Sequence, residues 1–231
     1  MKKLDTHVHT SEVSHCGKVK AARMAELYIA AGYGAITICD HLTLRQMTED
    51  GCRTPQERLD YQLRGYRAAK EAAGDKLDVL LGAEIRFHVT PDDVNDYLIF
   101  GLDEDKYLAL VTDRPRDPAE CHRFVNARNC LFYQAHPFRD GIYRAEAEEL
   151  DGIEVYNGHP NHNSRNNLAL ALAEERGCAY TSGSDAHQEI QTARGGIWVP
   201  EDVHTAPQLA DFLRRNPRPE LIRTIDEKTP Y

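Results

Sequence analysis

Two histidines separated by one residue, His7 and His9, open a sequence in which His, Asp and Glu recur at the ends of short apolar runs. On a strand, side chains two residues apart point the same way, so both imidazoles can reach one ion. The same residue types return in Asp40-His41, Gly82-Ala83-Glu84, His136-Pro137 and Gly183-Ser184-Asp185-Ala186-His187, and another run carries Glu154 and ends at Asn157. Taken singly, Asp40-His41 reads as a turn with a helix cap and Glu84 as a structural ion pair. His88, His122, His159, His162 and His204 read as surface or hydrogen-bonded core histidines. Taken together, His7, His9, His15, His41, Glu84, His136, Asp185 and His187 are too many ionisable groups to bury without a compensating cation. They outnumber the ligands of one ion and suffice for two or three that share a bridging carboxylate. Imidazole and carboxylate without thiolate suit Zn²⁺, Mn²⁺ or Fe²⁺. Cys16, beside His15, could intrude as a soft ligand, but it reads more simply as an unrelated loop thiol.

These residues need strands and helices to converge. The apolar pattern predicts strands over 3–8, 35–39, 77–85, 96–101, 130–135, 152–156, 179–182 and 197–199. Helical spacing predicts helices over 19–31, 55–73, 118–127, 164–176 and 207–214, with Gly32 suited to the first C-cap. Short strands alternating with helices argue for a parallel α/β fold. The strand number suits a closed β/α barrel, although 231 residues is short of the roughly 250 of a full eightfold barrel. In barrels and open α/β sheets alike, sites form at the C-terminal ends of the strands. Those are the ends that carry the His, Asp and Glu residues. No G-x-G-x-x-G or G-x-x-x-x-G-K-[ST] is present, so dinucleotide and P-loop chemistry lack support.

Composition fits a single domain spanning residues 1–231. Hydrophobic residues make up 41% and charged residues 28%, which excludes wholesale disorder. No apolar run approaches the ~18 residues of a membrane span, and no signal peptide is evident; the expected location is the cytoplasm, with no membrane partner. The six cysteines form no C-x-x-C pair and read as free thiols. A net charge of −9 argues against a broad nucleic-acid surface. It leaves room for an anionic substrate, because bound cations reverse the local field.

The ordered segments DTHVHT (5–10), TICDH (37–41), GAE (82–84), AHP (135–137), EVYN (154–157) and GSDAH (183–187) resemble the polymerase and histidinol phosphatase (PHP) family of metal-dependent phosphoesterases. The resemblance implies a distorted seven-stranded β/α barrel with a metal centre at its C-terminal mouth. It implies a first ion held by His7, His9, Glu84 and Asp185, and a second bridged by Glu84 and bound by His136. A third would be held by His15, His41 and His187. The family's usual first-loop residue is an Asp in an S-D-G triplet; here the loop reads Ser14-His15-Cys16-Gly17, and His15 is taken as the ligand. The histidine usual for the second ion is missing from DYLIFGLDED, where Asp103 is the expected substitute, so two ions or three are expected.

The reaction expected is hydrolysis of a small or terminal phosphate ester by in-line attack of metal-bound hydroxide on phosphorus. Three divalent ions bring about +6, and two or three carboxylates leave roughly +3 to +4 to meet a phosphate dianion. Asp185 and His187 are the candidate proton-handling residues. Arg139 is a candidate phosphate clamp through its planar fork, and Asn157 and Arg165 are candidate substrate contacts. Rival readings are a metal-dependent amidohydrolase and a noncatalytic, metal-stabilised domain. A polynucleotide substrate fits the acidic balance less well.

Overall fold

Burial sorts the apolar runs into strands. Every residue of Ala35–Ile38, Leu131–Gln134 and Gly152–Asn157 is buried, as strands covered on both faces require. The computed structural model describes residues 1–88, 94–142 and 149–224. Along them run β1 (Lys2–Val8), α1 (Ala21–Ala30), β2 (Ala35–Ile38), β3 (His41–Leu42), α2 (Leu44–Glu49), α3 (Pro55–Gln62), α4 (Arg64–Ala73), β4 (Asp78–Leu81), β5 (Ala83–His88) and β6 (Val94–Phe100). There follow α5 (Glu104–Asp113), α6 (Pro118–Asn126), β7 (Leu131–Gln134), β8 (Gly152–Asn157), α7 (Asn166–Arg176), β9 (Ala179–Gly183), β10 (Gly195–Val199), α8 (Ala206–Arg215) and β11 (Leu221–Arg223). No helix among the described residues is long and apolar enough to cross a membrane.

The fold is mixed α/β, and its hydrogen bonds draw two sheets where a closed seven-stranded barrel was expected. One is ordered β11-β10-β1-β2-β4 and the other β3-β5-β6-β7-β8-β9. The boundary between them is an interruption more than an edge. β2 and β4 pair in parallel as Ile36↔Val79 and Ile38↔Leu81, and β3 and β5 resume in the same register as His41↔Glu84. At the interruption Asp40 turns its carboxylate to Thr10 and Ser14. On the far side Val8 forms an isolated parallel bridge to Ala186.

The sheets are not uniformly parallel. β6 runs antiparallel to β5 and β7, and β10 antiparallel to β1. The expected strand 77–85 is two strands, β4 and β5, and β5 runs on to His88. The link from His88 to Val94 is therefore too short for a parallel crossover, which needs a dozen or more residues. Along β6, Tyr97 and Ile99 join a core with Phe132 and Leu63, while Leu98 and Phe100 face Tyr133, Leu209 and Phe212. That alternation seats the sheet between two apolar layers.

The helix expected over 55–73 breaks at Leu63 into α3 and α4. Thr54 and Glu57 start α3 with a reciprocal capping box, with Pro55 in the first turn. After the break, Gly65 lies so close to the loops that an added Cβ would fall 2.0 Å from Thr10 Oγ1 and 2.5 Å from Asp40 Oδ2. Gln62, at the end of α3, donates to the carbonyls of Asp40 and His41 at 3.1 Å each. The break thus brings two helix ends against the backbone that carries His41.

Candidate metal centre

His7 and His9 close β1 with fully buried rings, and the Nε2 of each is buried with no hydrogen-bond partner. Two such nitrogens cost more than they return unless an acceptor of their lone pairs lies between them. Carboxylates surround that point. His7 Nε2 lies 3.5 Å from Glu84 Oε1 and 3.5 Å from Asp185 Oδ1; His9 Nε2 lies 3.3 Å from Glu84 Oε2 and 3.4 Å from Asp185 Oδ1. Ligands about 2.0–2.1 Å from one tetrahedral ion are spaced roughly 3.4 Å apart. The donor set therefore fits a divalent cation. Three groups of ligand atoms lie close enough to share an ion: His7, His9 and Asp185; Glu84, Asp96 and His136; and His9, His41 and His187. His136 Nε2 is 3.4 Å from Glu84 Oε1, and His41 Nδ1 is 2.8 Å from Glu84 Oε2, so Glu84 sits between all three.

The other faces of these rings are held. His7 Nδ1 meets Glu154 Oε1 at 3.0 Å, and both residues are buried. Glu154 Oε2 also accepts from the His136 N–H at 3.0 Å and Asn157 Nδ2 at 2.9 Å, and that amide reaches Asp185 Oδ2 at 3.2 Å. One carboxylate on β8 thus orients ligands from three elements, which fixes tautomers and ring planes. On the opposite side His9 Nδ1 contacts Ser14 Oγ at 3.2 Å, and Ser14 donates to Asp40 Oδ1 at 2.7 Å. Asp40 Oδ1 also accepts from the Thr10 N–H at 2.7 Å, and Asp40 Oδ2 from Thr10 Oγ1 at 2.6 Å. Asp5 accepts from the N–H groups of His7 and Ser184, tying β1 to the loop after β9. Burial pushes the Asp5 and Asp40 carboxyls up to about 6 against these hydrogen bonds.

The backbone is bent to the same end. His136 and Asp185 take left-handed φ values of 30° and 51°. For residues with a Cβ that conformation costs about 1–3 kcal/mol and collects at functional sites. Gly183 packs β9 on β1; a Cβ there would stand 2.4 Å from His7 Cβ and 2.9 Å from Glu154 Oε1.

Burial acts against every charge in the cluster, and the mixture of signs overrides it. Burial pulls the His7 imidazole down, but Asp185, Glu154 and Glu84 raise it well above the usual range. Burial pushes Glu84 up, but His41 and His7 hold it well below the usual carboxylate range. Asp185 is lowered in the same way by His7 and His9. Burial and the neighbouring His187 and His41 keep His9 low, hence neutral and able to ligate.

The expected residues divide. His7, His9, His41, Glu84, His136, Asp185 and His187 come together. His15 does not: its side chain is 63% exposed and faces Asp50 at 3.8 Å. Its neighbour Cys16 lines the same cavity as His41 and Glu84. Asp103 is not in the cluster either. It caps α5, accepting from the Lys106 N–H at 2.8 Å, and pairs with the Lys106 ammonium. Asp96 on β6 occupies the position expected of Asp103; an acid inside an apolar run was the signal available. Both its oxygens are engaged by Arg86, at 2.6 and 2.7 Å. Arg139 lies at the rim, 3.5 Å from His136 Nε2 and 3.8 Å from Asp96. Asn157 is buried and orients ligands. Arg165 turns to the Phe138 carbonyl and Asp140. Glu154, which the sequence placed only on a strand, is the central supporting residue.

Comparison with known proteins follows the same lines. The family profile described as PHP domain matches residues 5–202. Among curated proteins, none matches the sequence. Among solved structures, PsfC from Pseudomonas syringae superposes with a TM-score of 0.65 at 21% identity, covering 96% of this chain and 91% of that one. A candidate metal-dependent phosphoesterase from Bifidobacterium adolescentis gives 0.58 at 16% identity, covering 92% and 96%. An amidohydrolase from Chromobacterium violaceum gives 0.54 at 14% identity, covering 80% and 87%. At these identities the likeness is one of fold.

Proposed function

The chain belongs to the PHP domain family, and from that premise we propose that it is a metal-dependent phosphoesterase acting on a small or terminal phosphate ester. The observation that carries the reading is the spacing of His7, His9, Glu84 and Asp185 at the edge lengths of a coordination tetrahedron, with the Arg139 guanidinium at its rim. Divalent ions bound there would supply Lewis acidity and an activated water. Two ions contribute about +4 against the charges of Glu84 and Asp185, leaving an excess that suits a phosphate dianion more than a neutral amide.

The protein's own residues do the rest. Arg139, half-buried, presents its planar fork to phosphate oxygens. Asp185 turns Oδ1 to His7 and His9 and Oδ2 to Asn157; Oδ2 is where the proton of the attacking water is held. His187, with Nδ1 at 3.4 Å from Asp185 Oδ1, is the second proton-handling group. A cavity of about 730 Å³ beside the centre, lined by Cys16, His41, Glu84, Arg86 and His88, is of a size for a small substrate. The continuous register of β2/β4 into β3/β5 and the Val8–Ala186 bridge support reading the two sheets as staves of one distorted seven-stranded barrel, with the centre at its mouth.

The test is metal analysis of protein purified without chelator, joined to a panel of phosphoesters and amides under Mn²⁺ and Zn²⁺. Phosphoester turnover without amide turnover is the expected result. Amide turnover alone would make the chain an amidohydrolase, and stoichiometric metal without turnover a metal-stabilised domain.

A further inference from the structure

The loop after β8 carries two histidines outside the three groups of potential ligands, His159 and His162. Their rings stack with centroids 4.0 Å apart, and the His159 ring meets that of His187 edge-on at 5.9 Å. His159 is 5% exposed, and its backbone is fastened to the strands around it. The Gly158 N–H donates to the Gly183 carbonyl at 2.8 Å, the Gly158 carbonyl accepts from Arg194 Nε at 2.9 Å, and the His159 N–H donates to Asn157 Oδ1 at 3.1 Å. The Asn157 amide nitrogen donates in turn to Glu154 and Asp185, so His159 and the metal centre share one anchor. The two nitrogens of the ring differ. Nδ1 accepts from the Asn161 N–H at 3.2 Å. An accepting nitrogen bears no proton, so the ring is neutral with its proton on Nε2. That Nε2 makes no hydrogen bond among the described residues, and it is not sealed in as the Nε2 atoms of His7 and His9 are. A buried ring, locked in one tautomer, thus keeps a free donor at the mouth of the centre.

We propose that His159 is a substrate-contacting residue whose neutral ring donates its Nε2–H to an oxygen of the bound phosphate, with His162 stacked behind it to hold the ring in plane. The role is that of a donor and not of an acid: the proton stays on the ring and no bond to it breaks. A neutral donor suits a site that gathers cations, because a further positive charge would be repelled by them. A donor fixed before substrate arrives also costs no reorganisation when negative charge builds on the phosphate oxygens. The inference rests on the proposed phosphoester reaction and adds to it a group that the ligand set does not contain.

The test separates the donor from the ring. Inorganic phosphate is titrated calorimetrically into the Zn²⁺-loaded parent, His159→Phe and His159→Gln, with bound metal and melting temperature measured on each. Phenylalanine keeps a flat ring against His162 and removes the donor; glutamine loses the ring and restores an N–H at the position of Nε2. His159→Phe should keep the parent's metal content and bind phosphate about 10–100-fold more weakly, the usual loss for a hydrogen bond to a charged group. His159→Gln should recover to within about threefold of the parent. Phosphate affinity unchanged in His159→Phe would overturn the proposal. So would a glutamine variant as weak as the phenylalanine one, or loss of metal from both, since either result would make His159 a packing residue. A parent that binds no phosphate would overturn it whatever else the protein hydrolyses. If the variants behave as expected and no phosphoester is cleaved, the donor stands and the phosphoesterase reading falls. If phosphoesters are cleaved and His159→Phe loses neither phosphate affinity nor turnover, the phosphoesterase reading stands and the donor falls.

Discussion

A carboxylate that touches no ion can still set how tightly one is held. Glu154 is buried against His7 Nδ1, the His136 N–H and the Asn157 amide. Glu154→Gln should weaken metal binding by about 10–100-fold, the usual effect of losing such a partner, as read by isothermal titration with Zn²⁺. Arg86 holds Asp96 through both oxygens, so Asp96 is already neutralised. Arg86→Leu should free that carboxylate and raise the metal bound per chain in Mn²⁺, as measured by mass spectrometric metal analysis; an unchanged content would show that Asp96 is no ligand even when released. Asp103→Ala should leave metal content untouched and cost about 0.5–2 kcal/mol of stability through the lost cap. Protons compete at the same atoms. Without an ion, the raised His7 imidazole holds its proton more tightly than a free one. Metal affinity should therefore start to fall at a pH above the ordinary histidine range and keep falling as the solution is acidified, because His7 takes up its proton earlier than a free imidazole; titrations that give one affinity at every pH would remove His7 as a ligand. His7 and His9 were legible because strand periodicity aims them, and Glu84, His136 and Asp185 because they follow apolar runs that read as strands. His15 was taken for a ligand wrongly, because the direction of a loop side chain leaves no periodic trace.

Strands deliver the ligands, and close approaches between them set the tolerance. Gly183 lets β9 lie on β1, and a Cβ there would meet His7 Cβ at 2.4 Å. Gly183→Ala should destabilise the fold by about 1–3 kcal/mol, the range for overpacking, and should lower metal affinity because the atom displaced belongs to a ligand. Denaturant unfolding and zinc titration of the same variant test both. Asp40 joins the first loop to the β2/β3 interruption through Thr10 and Ser14. Asp40→Ala leaves a buried N–H and two hydroxyls short of their acceptor, at about 1–3 kcal/mol for each such group. Most strands could be read from apolar runs. The antiparallel β6 could not, because the alternating exposure of Arg86 and His88 hid the last residues of β5 and with them how short the link to β6 is. The break at Leu63 was invisible for a related reason: it depends on a contact between Gly65 and Asp40, far apart in sequence.

At the scale of the whole molecule, the cluster gathers ionised groups that only an ion fully reconciles, so binding and stability are linked. With zinc free at a thousand times its dissociation constant, the folded state gains about 4 kcal/mol. For a chain of this size that raises the melting temperature by roughly 8–16 °C. Calorimetry before and after chelation should show the difference, and a shift of under about 2 °C would mean that the cluster is stable without metal. The net charge of −9 points the same way, since each ion removes two negative charges' worth of self-repulsion. The first position draws His7 and His9 from the start of the chain and Asp185 from near its end. During synthesis at about 5–20 residues per second, the two imidazoles would be made roughly nine to thirty-five seconds before their carboxylate partner. A nascent chain cannot complete the site however much metal surrounds it. A chain cut short before Asp185 would lack one donor of that position and should hold zinc more weakly than the full chain.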